Sequence, residues 1–245
     1  MQQPEPSTLL SLDTAARTDF DAGRTRLFAS VKQPGSILAE LKHIMADGPR
    51  LHAMAQRSSR HALGFDRIEI QRDPACDCVL RLHIWWGEPL APDSGAHDVH
   101  NHGRPLAIGL LCGGYRHETW DVVPGPSELQ HYRYRIDDVT LQTTLQHLGQ
   151  AAARLNCTAV LAPGECYSLG PRTMHRVFPV EGRMTASLVL QGPLAVPSSD
   201  ILTTRRLQPS TPRPHVPFDV AYLQHKLERL RAAVIEATRR AGADA

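Results

Sequence analysis

Between residues 64 and 191 the apolar positions fall mostly two apart, the spacing that puts alternate side chains on opposite faces of an extended strand. Residues 65–70 and 79–86 are two such runs, separated by a turn at Asp73-Pro74. Residues 106–111 form a short, almost wholly apolar run that ends at Gly113-Gly114. Further strands are expected over 115–122, 130–136, 158–161, 166–169, 176–179 and 185–190. Glycine or proline punctuates almost every gap, so the pattern predicts many short strands joined by turns, an antiparallel sandwich or barrel. Residues 138–156 fit no single period: Leu141, Leu145 and Leu148 permit a helix inserted between strands.

The period changes at both ends. Residues 1–34 read as a poorly ordered arm with one or two short helical pieces. Ser36 is placed to cap a helix whose face is formed by Ile37, Leu38, Leu41, Ile44 and Met45, and Gly48-Pro49 ends it. A weaker helix covers about 50–58. Residues 192–217 are rich in Pro, Ser and Thr and read as a wrapping segment or linker. A last helix runs from about 217 to 240, with Val220, Leu223, Leu227, Leu230 and Val234 spaced alternately three and four apart. That stripe is either a seam with a second copy of the chain, giving a homodimer, or the face that packs along its own barrel. The expected organisation is an arm over 1–34, a barrel domain with a helical entry over 35–195, and a wrapping segment with a terminal helix over 196–245.

A length of 245 residues suits one domain with a sizeable core. Lys and Arg total 27 against 25 Asp and Glu, and they are scattered, so no basic face for nucleic acid or a membrane surface is expected. No apolar run is long enough to span a bilayer. The first ten residues lack the basic start and apolar core of a secretory signal, which makes the cytoplasm the expected location. Five cysteines are an odd number in a chain of this size and argue against a disulfide framework. Cys76-Asp77-Cys78 reads as a turn between strands, and Cys112 and Cys166 as small buried hydrophobes.

Histidine changes the picture, because 13 residues is enough to direct attention to a metal or proton-transfer site. His100 and His102 stand two apart just before the apolar run at 106, so on a strand they share one face and reach one ion from one side. His175 lies far along the chain, after Pro171-Arg172-Thr173-Met174. Antiparallel sheets make neighbours of distant strands, so His175 can complete a facial set of three nitrogen ligands. His97 is an alternative ligand if its loop folds back. His83 alternates with Arg81 and Trp85 on one strand face; if that face is interior, His83 or Trp85 lines the pocket. His117 and Glu118 follow the glycine turn and face opposite sides, and a hydrogen bond to a ligand imidazole is the role expected of an inward His117.

The two histidine blocks read HNHGRPLAIGLLCGGYRHETW over 100–120 and PGECYSLGPRTMHRV over 163–177. Together they resemble the two signature motifs of the cupin superfamily: a His-x-His, a strand and a glycine turn, then a Pro-Gly turn, a strand, a Pro-containing turn and a His. Within that superfamily the chain resembles the cysteine dioxygenase type, thiol dioxygenases that hold Fe(II) with three histidines. Gly114, Glu118 and Thr119 after His102, the separation of Tyr167 from His175, His175-Arg176-Val177 and Trp86-Gly87-Glu88 all fall in that family's pattern over roughly residues 35–195. The resemblance implies a mainly β cupin barrel of the double-stranded β-helix kind, with N-terminal helices and a C-terminal helix. It also implies His100, His102 and His175 as metal ligands. Three departures accompany it. The usual fourth ligand of cupins, a Glu, is replaced by apolar Leu106 or Ala107. The family's crosslinking cysteine falls on or near Ala107. The His and Tyr of its late strand correspond to Val189 and Gln191.

What the resemblance implies for activity is a mononuclear non-haem Fe(II) dioxygenase. Its expected partners are dioxygen and a small thiol, amine or amino-acid-like substrate that chelates the metal. Three histidines and a water also make a catalytic zinc site, so another divalent metal in a cupin isomerase, lyase or hydrolase remains open, as does a metal-stabilised binding module without turnover. Tyr167 and His117 are the candidate catalytic groups. Arg67 occupies the place of the family's carboxylate-binding arginine; the alternative is a solvated strand residue. His83 and Arg172 are further candidates for the substrate, and Arg176 and Tyr115 are weaker ones.

Overall fold

The computed structural model describes residues 19–61, 63–89, 98–125, 128–136, 143–208 and 216–243. Three helices come first: α1 (Phe20–Val31), α2 (Pro34–Ala46) and α3 (Gly48–Arg57). The strands follow as β1 (Ser59–Arg60), β2 (Asp66–Asp73), β3 (Cys78–Trp85), β4 (Val99–His100), β5 (Leu106–Cys112), β6 (Tyr115–Val123) and β7 (Gln130–Ile136). They continue as β8 (Thr143–Gln150), β9 (Ala152–Leu161), β10 (Cys166–Leu169), β11 (Met174–Pro179), β12 (Thr185–Gln191) and β13 (Ser199–Thr203), before α4 (Val220–Ala243). Their order is β1-β2-β3-β12-β5-β10 in one sheet and β8-β7-β13-β4-β11-β6-β9 in the other, and the pairings among the described residues are antiparallel. The mainly β architecture with helices at both ends is therefore what the chain forms.

The two sheets are covered differently, and this shows in their sequences. All four helices join the buried cluster on the outer face of the first sheet, so β5 and β12 are buried on both faces and read as near-continuous apolar runs. Gly109 on β5 allows α1 to lie this close: a Cβ there would meet Val31 Cγ2 at 2.5 Å. The outer face of the second sheet carries Arg116, Glu118, Trp120, Arg176 and Phe178, joined by ion pairs and cation–π contacts. Its edge strand β9 leaves Leu155 and Val160 exposed.

Several local expectations are corrected. Residues 20–31 form a regular helix whose Leu27 and Val31 are buried, because burial against β5 and β12 stabilises a segment with little amphipathic signal of its own. Helix α2 starts at Pro34, not after Ser36, since proline's missing N–H costs nothing in a first turn. Gly48-Pro49 opens α3, whose first turn is capped by Asp47 accepting from the Arg50 amide at 3.0 Å. The helix permitted within 138–156 is a strand pair, with β8 on β7 and β9 on β6; Leu141 lies outside the described residues. Within 192–217, which reads as a wrapping segment or linker, residues 199–203 form β13, which pairs with both β4 and β7.

The stripe on α4 is used within the chain. Leu223, Leu227, Leu230 and Val234 are buried in the cluster that α4 shares with α2 and α3, each contributing about 1.5–3 kcal/mol by leaving water. It is not an open seam for a second copy. One turn along, Lys226 stands 3.9 Å from the centre of the Trp86 ring and 3.5 Å from Asp66. Asp66 is fully buried at the start of β2 and also accepts from Trp86 Nε1 at 2.6 Å and Arg60 at 3.1 Å. This cluster ties the last helix to the first sheet. Among the described residues no helix is long and apolar enough to cross a membrane.

Candidate metal centre

His100 is the last residue of β4, a two-residue strand held between β11 and β13. Asn101 turns the other way: its Oδ1 accepts from the Asp200 amide at 3.0 Å, and its Nδ2 donates to Met174 Sδ at 3.4 Å. Gly103 then makes a close crossing that only glycine permits, with φ +64° and a Cβ position 2.4 Å from the Val196 carbonyl oxygen. Its N–H donates to the Pro171 carbonyl at 3.1 Å, and its carbonyl accepts from Ala195 and Val196. The turn that introduces His175 is thereby docked behind His102, which gives the Pro-containing turn of the second motif a physical role. His175 itself lies in register with His100 across β11 and β4.

The three imidazoles converge. One ring nitrogen from each of His100, His102 and His175 lies within 4.8 Å of the others, and the Nε2 atoms of His102 and His175 are 2.9 Å apart. Two nitrogens at about 2.1 Å from one ion and at right angles to each other would be about 3 Å apart, so the spacing fits shared coordination. His100 Nδ1 lies 3.1 Å from the Asp98 carbonyl, an acceptor only, which places the proton on Nδ1 and frees Nε2. The Asp98 carboxylate is in turn held by Arg205. Burial first, and neighbouring imidazoles second, hold His102 and His175 well below the usual histidine range. His100 is lowered by burial as well. All three therefore stay neutral, the state a ligand needs. His97 lies outside the described residues.

The site opens into a cavity of about 180 Å³ between the sheets. The first sheet presents Arg67, Arg81, His83, Trp85, Val189 and Gln191 to it, and the second presents His100, Tyr115, His175 and Val177. No Asp or Glu is among the described residues of the wall.

No protein-family model matches the chain, and no curated protein sequence does. Solved structures do overlap part of it. Hydroxypropylphosphonic acid epoxidase from S. wedmorenis matches with a TM-score of 0.33 and 13% identity, over 53% of this chain and 51% of that one. Fe(II)-HppE with an alternative substrate, (S)-1-HPP, matches with a TM-score of 0.32 and 14% identity, over 53% and 49%. Streptomyces albus HEPD with 2-hydroxyethylphosphonate and Fe(II) bound matches with a TM-score of 0.31 and 12% identity, over 55% of this chain and 22% of that one. The chain thus spans about half the length of the first two and less of the third.

The other candidate residues fall into three groups. Arg67, His83 and Tyr167 line the cavity, as do Trp85 and Tyr115. The Tyr115 and Tyr167 hydroxyls are 2.8 Å apart, and burial raises both phenols, so they are neutral at physiological pH. His117 is buried behind the wall: its ring centre is 4.5 Å from that of Tyr167 and 5.4 Å from that of His175. Arg172 is corrected: it is exposed on the turn before β11, away from the cavity wall. Arg176 points outward and pairs with Glu118 at 2.7 Å. Leu106 lines the cavity, whereas Ala107 is buried under the helices.

Sequence reasoning missed Arg81 and His61 as wall residues. Arg81 was recoverable, since it stands two residues before His83 on the same strand face. His61 lies in the connection between β1 and β2, where no period applies. Burial first, then Arg67 and His100, lowers its pKa to about 3, and burial lowers that of His117 to about 4. Between those values and the ordinary 6.5 the unfolded chain binds more protons than the folded one, so stability increases with pH across that window. The melting temperature of metal-free protein should be level above pH 7 and fall steadily from pH 6.5 towards 4. A flat profile across that range would contradict buried, neutral histidines.

Proposed function

We propose that the protein is a mononuclear non-haem Fe(II) oxygenase on a cupin-type barrel of the cysteine dioxygenase kind, acting with dioxygen on a small thiol, amine or amino-acid-like substrate that chelates the metal. The observation that carries this is the convergence of three neutral imidazoles on the wall of a small cavity without a carboxylate ligand among the described residues. Such a set leaves a divalent ion its full double charge and open positions for substrate and dioxygen together. When bound, Fe(II) supplies the one-electron chemistry that dioxygen needs to react with a closed-shell substrate.

The chain's own residues do the rest. Arg67 holds the charged end of the substrate, and His83, kept neutral by burial, offers it a hydrogen bond. Tyr167, hydrogen-bonded to Tyr115, presents a phenol that donates to the bound substrate without ionising. His117, packed behind both Tyr167 and His175, is a positioning residue for them. Leu106, Ile108 and Val189 give the chamber a dry side that excludes bulk water. The five free cysteines suit a cytoplasmic, reducing setting.

Purified protein loaded anaerobically with Fe(II) should consume dioxygen with at least one member of a panel of thiols, amines and amino acids, and His175→Ala should not. Absence of uptake with every member would remove the oxygenase reading. Recovery of zinc in place of iron from protein grown without added metal would favour a hydrolytic or isomerase site, for which the same ligand set is suited.

A further inference from the structure

The cavity wall holds more positive charge than its surroundings neutralise. Arg67 and Arg81 both face the cavity, and its described wall contains no carboxylate. Among the described residues the nearby counter-charge is Glu69, buried on β2, and it is divided: Arg72 approaches it at 2.9 Å, Arg57 at 3.3 Å and Arg81 at 3.4 Å. Arg67 makes no ion pair within 4.0 Å among the described residues. The Arg81 guanidinium is oriented by Gln191 at one end and Glu69 at the other, while its Nε is buried without an acceptor. Two guanidinium groups, Arg67 without an ion pair among the described residues and Arg81 sharing Glu69 with two other arginines, therefore border the space next to the three imidazoles.

We propose that the substrate is a small dianion, with two negative charges shared between Arg67 and Arg81, in addition to the atom it gives to the metal. This deepens the oxygenase reading and rests on it for the third contact, but the anion site itself needs no metal. One carboxylate would satisfy a single fork; two charges are needed to balance both. The ligand is also small, because the 180 Å³ cavity is only somewhat larger than the roughly 150 Å³ that accepts a benzene ring. A dicarboxylate and an organophosphonate share this chemistry, and the test separates them.

The test is calorimetric titration of metal-free protein with malonate and methylphosphonate, compared with acetate and methylsulfonate, at pH 8 and low salt. At least one dianion should bind about ten-fold or more tightly than either monoanion. The difference should persist in His175→Ala and disappear in Arg67→Gln, with Arg67→Lys intermediate because an ammonium keeps the charge but not the fork. Arg81→Lys serves as the second variant, since Arg81→Gln also disturbs Glu69. Equal affinity for monoanions and dianions, or dianion binding unchanged by the Arg67 and Arg81 variants, would overturn the proposal. Its failure is distinct from that of the oxygenase reading: an inactive protein that still selects dianions keeps this inference, and an active one that binds monoanions equally well loses it.

Discussion

Replacing His175 by alanine should lower affinity for Fe(II) or Zn(II) by more than about 100-fold, a larger loss than the ten- to hundred-fold typical of removing a group behind a ligand. The reason is geometric. His175 is the ligand that brings the second motif to the first, with Nε2 2.9 Å from that of His102. Without it two nitrogens remain on one short stretch of chain. The metal-free protein should be affected far less, because His175 Nδ1 is buried without a hydrogen-bond partner among the described residues and the change removes only the one hydrogen bond to His102 Nε2, worth about 1 kcal/mol. Thermal unfolding with and without added metal reads both effects. Wild type should gain about 4 kcal/mol at a free ion concentration one thousand times its dissociation constant. At the same ion concentration the variant should gain no more than about 1.4 kcal/mol, the residue of a hundred-fold weaker site, with a metal-free midpoint close to wild type. A variant that gains as much as wild type would place the ion elsewhere.

The second large effect is on stability alone. Asp66→Ala removes the acceptor for Trp86 Nε1 and the carboxylate that faces Lys226 and Arg60. Lys226 is only 9% exposed, so its ammonium would be left buried and uncompensated. Breaking a buried pair from one side costs about 3–5 kcal/mol, a fall of roughly 6–20 °C in melting temperature for a chain of this length. Adding Lys226→Met should recover much of the loss, since the unpaired charge is the main cost. If the single variant melts within 2 °C of wild type, the cluster is not what secures α4.

The strands whose two faces differ, and those buried on both faces, were readable from sequence because burial writes a period into the chain. The same holds for His100 and His102, which share a strand face by spacing alone. His175 needed the resemblance of the two blocks to a pair of known motifs, since no local rule reveals which distant strand becomes a neighbour. The β8–β9 region shows no single period because both strands lie at sheet edges, where neither face must be apolar; Leu145 and Leu148 happen to stand at helical spacing. The α4 stripe has the same pattern whether it meets a second chain or its own helices. Leu106 and Ala107 could not be told apart without register, and Arg81 gained its importance only when Gln191 and Glu69 were found around it.

The distribution of site residues between the sheets has an evolutionary consequence. His100, His102 and His175 come from the second sheet and the loop that leaves it, while Arg67, Arg81, His83, Val189 and Gln191 come from the first. Drift at the inward positions of β2, β3 and β12 can exchange one ligand specificity for another while the ion stays where it is. Val189 and Gln191 are two such positions on the cavity wall. A laboratory search for altered substrate preference would therefore randomise those three strands and leave β4 and β11 untouched.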